Sequence, residues 1–350
     1  MNIIKTNTTQ AEQQNLRQLT KELYELCFDD SAEFVDFYFR RRYTDENNFA
    51  LLHNGTLAAA LQAIPYKMTF FGKAINIAYL SAICTRPDLR NKGLMTQLLT
   101  STHKQLFSTD VYVAALIPAE LWLFDVYKKY GFETLFYRSQ KQICASILSG
   151  HQNYKIHDFA SFDKDRIFNY FDAEMHKRNC CIQHSRHNFT AVCEDIYNSE
   201  GVILIAEHEN KISGIIFAIK INDEIAVIEH FADNQYISNT LLKKLSQKLQ
   251  TDSFVGFDFP RKNNGTPFGM MRIICVEKML QLYASTHPRC KQNILVNDKH
   301  IVENSGCYTI ANSHCTKLPL TDEKNAWNIS QLTHFIFARQ MPYMSLMMNE

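Results

Sequence analysis

Leu16, Leu19, Leu23 and Leu26 recur at helical spacing, which predicts an amphipathic helix over residues 10–28. A second, shorter helix is expected over 33–40. From residue 48 the period changes. Phe49-Ala50-Leu51-Leu52-His53 reads as a strand, and Asn54-Gly55 is a two-residue hairpin signal, because both turn positions need positive φ. The return strand is expected over 56–64, and a further hairpin near Gly72 between 67–71 and 73–76. The nearly unbroken apolar run Ile77-Ala78-Tyr79-Leu80-Ser81-Ala82-Ile83-Cys84-Thr85 predicts a central strand buried on both faces. A polar turn follows, then a helix over 93–107 with Leu94, Met95, Leu98, Leu99 and Leu106 on its apolar stripe. A buried strand (111–118), a short helix (120–130) and a strand from Phe132 complete one mixed α/β domain over residues 1–148.

Residues 149–260 partly repeat this plan. A hairpin across Glu209-Asn210 joins 202–206 to 212–219, a strand covers 225–231, and a helix over 239–249 carries Leu241, Leu242, Leu245 and Leu249 inward. This second copy has no glycine between strand and helix; Asp233-Asn234-Gln235-Tyr236-Ile237-Ser238 stands there instead. Residues 261–350 mix helices (276–284, 329–337) with short strands (291–297, 306–310), which predicts a third, smaller α+β domain.

Composition narrows the class. Hydrophobic residues make up 46% of the 350, enough to bury cores without staples. With 37 basic and 36 acidic residues, the chain has no overall field to attract nucleic acid or an anionic membrane. No apolar run approaches the ~20 residues of a membrane span. The opening residues lack the apolar core of a signal peptide, and the ten cysteines are irregularly spaced with no C-x-x-C pair. Free thiols and a cytoplasmic location are therefore expected.

The chemistry concentrates where the central strand meets its helix. In Arg90-Asn91-Lys92-Gly93-Leu94-Met95 a basic turn with one glycine opens a helix. Helix N-termini carry unpaired N–H groups and bind phosphate, glycine permits close approach, and Arg90 and Lys92 add positive charge. Taken alone, the segment reads equally well as an ordinary strand-to-helix turn with solvated basic residues. Tyr127, within Tyr127-Lys128-Lys129-Tyr130-Gly131-Phe132, reads by itself as a packing aromatic.

Together these segments resemble the GNAT acetyltransferase superfamily, whose turn reads Arg/Gln-x-x-Gly-x-Gly/Ala; Met95 departs from it. The resemblance implies acetyl-CoA as cosubstrate. Pantetheine would lie along Ile83, Cys84 and Thr85, pyrophosphate on Arg90, Asn91, Lys92, Gly93, Leu94 and Met95, and the Tyr127 hydroxyl near the CoA sulfur. The whole-chain plan is similar to the enhanced intracellular survival (Eis) type: a catalytic GNAT domain, a degenerate GNAT-like copy and a sterol carrier-like C-terminal domain. The last is carried by Met271-Arg272-Ile273-Ile274, Val296-Asn297-Asp298 and Asn304-Ser305-Gly306-Cys307-Tyr308. In that family the terminal carboxylate helps to deprotonate the amine. Here that group belongs to Glu350, on a tail a few residues longer and without a terminal aromatic.

The resemblance thus implies direct acetyl transfer to a primary amine of a small molecule or peptide, with no metal, and suggests a homo-oligomeric assembly, while the balanced charge predicts no nucleic-acid or membrane partner. The alternative is a GNAT scaffold that binds CoA or another ligand without turnover. The Cys180-Cys181-Ile182-Gln183-His184-Ser185-Arg186-His187 stretch fits no familiar zinc spacing. Cys84 has no histidine placed by sequence to activate it, so packing is its expected role. Glu120 and Asp125 either attract a cationic amine or belong to solvated helix surface.

Overall fold

The computed structural model describes residues 3–4, 10–148, 154–260, 265–319 and 325–348. The chain forms two compact units, Met1–Leu135 with Pro267–Pro342, and Phe136–Thr266 with Tyr343–Asn349. No helix among the described residues is long and apolar enough to cross a membrane.

In the first unit the sheet runs, strand by strand, Ile3–Ile4, Asn48–His53, Thr56–Phe70, Lys73–Thr85, Val113–Leu116 and Thr266–Ile273. Its hairpins turn on left-handed residues, Asn54 (φ 52°) with Gly55 (φ 78°) and Phe71 (φ 47°) with Gly72 (φ 78°). The segments expected over 56–64 and 67–71 are one strand, Thr56–Phe70. Pro65 lies past Gln62, where the ladder with Asn48–His53 ends, so its missing N–H breaks none of those bonds. Lys73–Thr85 pairs antiparallel with Thr56–Phe70 and parallel with Val113–Leu116. The strand over Thr266–Ile273, from far along the chain, pairs with the other side of Val113–Leu116 at Met270↔Leu116 through Ile273↔Val113.

Helix Leu94–Phe107 packs Leu94, Leu98 and Leu99 into the main core of this unit. Full burial stabilises each by roughly 1.5–3 kcal/mol over exposure. Helices Gln10–Cys27 and Ala32–Arg41 cover Ala60 and Cys84 and an aromatic group of Tyr24, Tyr38, Phe39 and Tyr43. A small sheet, Gln292–Val296, Gly306–Ala311 and His314–Leu318, accompanies helices Val276–Thr286 and Ile329–Phe337.

The second unit repeats the order of elements. The hairpin Val202–His208 and Lys211–Ile221 leads to Glu224–Ala232, helix Gln235–Leu249 and the strand Ser253–Asp258, which runs parallel to Glu224–Ala232. Helices Lys164–His176 and Arg186–Asn198, absent from the sequence-based expectation, begin at Asp163 and Ser185, whose side chains accept from backbone N–H groups of the first turn.

Candidate functional site

The central strand of the first unit is built to part from its neighbour. Its parallel pairing with Val113–Leu116 covers Ile77–Tyr79 and stops at Tyr79↔Ala115, while the strand continues to Thr85. On its other side the register slips between Ala60 and Gln62, which face Cys84 and Ser81. The extra residue is a β-bulge, and Ala82 within it takes φ 52°. A left-handed alanine costs about 1–2 kcal/mol, so local contacts must impose this turn of the backbone. Ile83 completes the bulge and Cys84 and Thr85 follow it, with Cys84 buried and the other two half-buried.

After Thr85 the chain makes a short turn over Pro87–Leu89. Asn91 (φ 62°) and Gly93 (φ 75°) both adopt the left-handed conformation. Gly93 is the N-cap of helix Leu94–Phe107 and supplies no side-chain cap. A Cβ added there would meet nothing within 4 Å. The glycine is therefore demanded by φ, and the space in front of the helix start is open. Arg90, Asn91, Lys92 and Gly93 are exposed, whereas Leu94 is buried and Met95 packs back against the core. The bulk of Met95 is thus turned inward from the helix opening. Arg90 Nε donates to the Thr85 carbonyl at 3.3 Å, tying the turn to the strand end.

The equivalent junction in the second unit is closed. Helix Gln235–Leu249 starts four residues before the expected 239 because Asn234 caps it, its side chain accepting the Ile237 N–H at 3.1 Å. One helix opening is filled by its own side chain, and the other has no side-chain cap.

Tyr127 lies on helix Leu121–Lys128, is 6% exposed, and packs its ring 6.0 Å from that of Phe132. Burial, then the nearby Cys84 and Tyr130, push its phenol pKa well above the usual value. The hydroxyl therefore stays protonated and has a proton to give. Tyr130, from the end of the same helix, shares a 2.7 Å hydrogen bond with Thr96 in the first turn of helix Leu94–Phe107. Glu120 and Asp125 are exposed, and Trp122 is 64% exposed beside them.

Ile83, Cys84 and Thr85 thus join the turn Arg90-Asn91-Lys92-Gly93 and the helix start at Leu94 and Met95, and Tyr127 shares their electrostatic surroundings. Glu350 lies outside the described residues. The tail before it is not frayed. Met344, Met347 and Met348 are buried in the second unit, and Glu229 accepts from Tyr343 Oη at 2.6 Å and Ser345 Oγ at 2.8 Å. Cys180, Cys181 and His184 are core residues, and no group of three or more metal-ligating side chains occurs among the described residues. Sequence reasoning passed over Cys27, whose Sγ lies 3.5 Å from the Thr85 carbonyl oxygen.

Residues 9–135 match the acetyltransferase (GNAT) domain family, so the first unit carries an acyltransferase domain. The fold is similar to that of a GCN5-related N-acetyltransferase from Anabaena variabilis, with TM-score 0.74 and 15% identity over 97% of this chain and 92% of that one. It is also similar to a probable N-acyltransferase from Enterococcus faecalis (TM-score 0.72, 14% identity, 95% and 88% coverage). A third similar structure is Eis1 from Mycobacterium abscessus (TM-score 0.69, 12% identity, 96% and 90% coverage). At these identities the likeness is one of fold. No curated protein matches the sequence.

Proposed function

We propose that the chain moves an acetyl group directly from acetyl-CoA to a primary amine of a small molecule or peptide. The observation that carries this reading is a single junction: a bulged strand parts from its parallel neighbour after Tyr79 and leads, through left-handed Gly93, into a helix with no side-chain cap. The strand end at Ile83, Cys84 and Thr85 offers backbone groups to a pantetheine amide. The first-turn N–H groups at Leu94 and Met95, with Arg90, Asn91 and Lys92, hold the pyrophosphate.

The roles of the side chains follow. Backbone N–H groups near Cys84 stabilise the oxygen that gains charge as the amine attacks. Tyr127, kept neutral by burial, donates its proton to the departing thiolate. The amine must lose a proton, and the terminal carboxylate of Glu350 is the group we assign to orient and relieve it. A free carboxyl of pKa ~3.5 is a weak base in water, so it acts by holding the cation unless burial raises it.

The same reading divides the chain into a catalytic segment (1–148), a degenerate copy (149–260) and a sterol carrier-like segment (261–350), assembled as a homo-oligomer. Expressing residues 1–148 alone tests the division. Stable folding supports it, and aggregation favours a first unit completed by Thr266–Ile273. Light scattering of the full chain tests the assembly.

The main experiment has two arms. Calorimetry measures CoA binding, and a thiol-release assay screens amines with acetyl-CoA. Binding with amine-dependent thiol release supports the proposal. Binding without turnover on any amine would leave a ligand-binding scaffold, and no binding would remove the reading altogether.

A further inference from the structure

Cys27 is the last residue of helix Gln10–Cys27, and its Sγ lies 3.5 Å from the Thr85 carbonyl oxygen. Arg90 Nε reaches that same oxygen at 3.3 Å. Cys84, one residue before Thr85, belongs to the apolar group against which Cys27 packs, and its Sγ lies 3.7 Å from the Ala60 carbonyl oxygen. Two thiols and a guanidinium therefore meet at the strand end just past the Ala82 bulge. Cys27 is half-buried, while Cys84 is 7% exposed.

The two sulfurs differ in character. A thiol attacks as its thiolate, and a hydrogen-bond donor and a cation beside it favour that form. For Cys27 the Cys84 thiol is the largest influence; burial opposes it, Arg90 adds to it, and the pKa comes down to about 7. The Cys27 thiol, followed by burial, holds Cys84 well above the ordinary thiol range. A half-exposed thiolate backed by a protonated, buried thiol has the layout of an attacking and a resolving cysteine.

We propose that Cys27 and Cys84 are a redox modification site, forming a reversible disulfide on exposure to hydroperoxides, and that this bond closes the acyl-CoA site. Cys27 thiolate attacks one peroxide oxygen, the O–O bond breaks, and hydroxide leaves. The resulting sulfenic acid is attacked by the Cys84 sulfur, the S–O bond breaks, and the Cys84 proton leaves with hydroxide as water. Two thiols and one hydrogen peroxide give one disulfide and two waters, and the two electrons pass from sulfur to peroxide. Drawing the two packed thiols to a ~2.05 Å bond pulls the end of the first helix onto the strand. That movement displaces the Thr85 carbonyl and releases Arg90 from it. The closing effect rests on the assignment of Thr85 and Arg90 to acyl-CoA; disulfide formation does not.

The test treats the full-length chain with one equivalent of hydrogen peroxide. Intact mass and peptide mapping are followed on wild type, Cys27→Ser and, as a control for the exposed thiol, Cys144→Ser. The expected result is a loss of 2 Da, a linked Cys27–Cys84 peptide in wild type and Cys144→Ser, reversal by dithiothreitol, and no linked peptide in Cys27→Ser. CoA affinity of the oxidised chain is then expected to fall tenfold or more and to return on reduction. Oxidation elsewhere first, or no linked peptide, overturns the site. A disulfide that leaves CoA affinity unchanged overturns the closing. If the reduced chain binds no CoA, the functional reading fails while the peptide map still decides the cysteine pair.

Discussion

Arg272 places Nη2 at 3.0 and 2.8 Å from the two carboxylate oxygens of Asp298, and both side chains are shut off from solvent. Its Nη1 donates to the Tyr130 carbonyl at 2.6 Å, at the end of the helix that carries Tyr127. Gly131 leaves room for it, since a Cβ there would sit 2.3 Å from that nitrogen. Asn304 extends the network to Asp298 (2.9 Å) and to the Ile274 carbonyl (2.8 Å), and Tyr308 Oη donates to the Asn304 carbonyl at 2.9 Å. Removing one partner strands a buried charge. Asp298→Ala is therefore expected to lower stability by about 3–5 kcal/mol in urea unfolding, and the double change Arg272→Met, Asp298→Leu by much less. A loss under about 1 kcal/mol for the single change would show that the guanidinium finds water or another partner.

That network also shows what a sequence can and cannot reveal. Arg272, Asp298, Asn304 and Tyr308 stand out as a pattern because each residue type is fixed by a buried hydrogen bond. Turns at Asn54-Gly55, Gly72 and Gly93 are legible because left-handed backbone selects a few residue types. The bulge is not, because Ala82 takes φ 52° under tertiary constraint and carries no mark of it. The pairing of Thr266–Ile273 with Val113–Leu116 joins segments far apart in the chain, and no local period encodes it. The same distance hides the meeting of Cys27 and Cys84. The caps Asp163 and Ser185 were visible signals of helices that sequence reasoning passed over.

Gly93 and Asn234 invite a paired substitution. Gly93→Ala places a methyl group on left-handed backbone, costing about 1–2 kcal/mol of stability, and points it into the open space before the helix. CoA affinity should fall tenfold or more. Asn234→Ala removes a cap worth about 1 kcal/mol and should leave CoA affinity unchanged. Thermal unfolding and calorimetry on both variants separate the effects. Equal affinities in wild type and Gly93→Ala would take the anion away from this helix.

Tyr127→Phe keeps the ring that packs beside Phe132 and removes only the proton donor. General acid catalysis typically contributes 10²–10⁴-fold, so kcat is expected to fall by about 10²-fold or more with KM for acetyl-CoA little changed. Because burial raises the phenol pKa, the wild-type rate should show no loss from Tyr127 ionisation near neutral pH. Unchanged turnover in the variant would remove Tyr127 from the mechanism.

Cys27 supplies a pH dependence that needs no substrate. With a pKa of about 7, its thiolate is half-formed near neutrality, so its iodoacetamide alkylation rate should be half-maximal at about pH 7. An unperturbed thiol would reach that point near pH 8.5. The linkage sign follows from the same lowering. Between the folded pKa and the higher unfolded value the unfolded chain holds more protons, so this contribution to stability grows as pH rises through that window and is lost as pH falls through 7. The Cys84 thiol is the first cause of the lowering and Arg90 the second, so Arg90→Met should move the alkylation midpoint upward only in part. A wild-type midpoint at 8.5, unmoved by Arg90→Met, would mean that neither neighbour holds the thiolate.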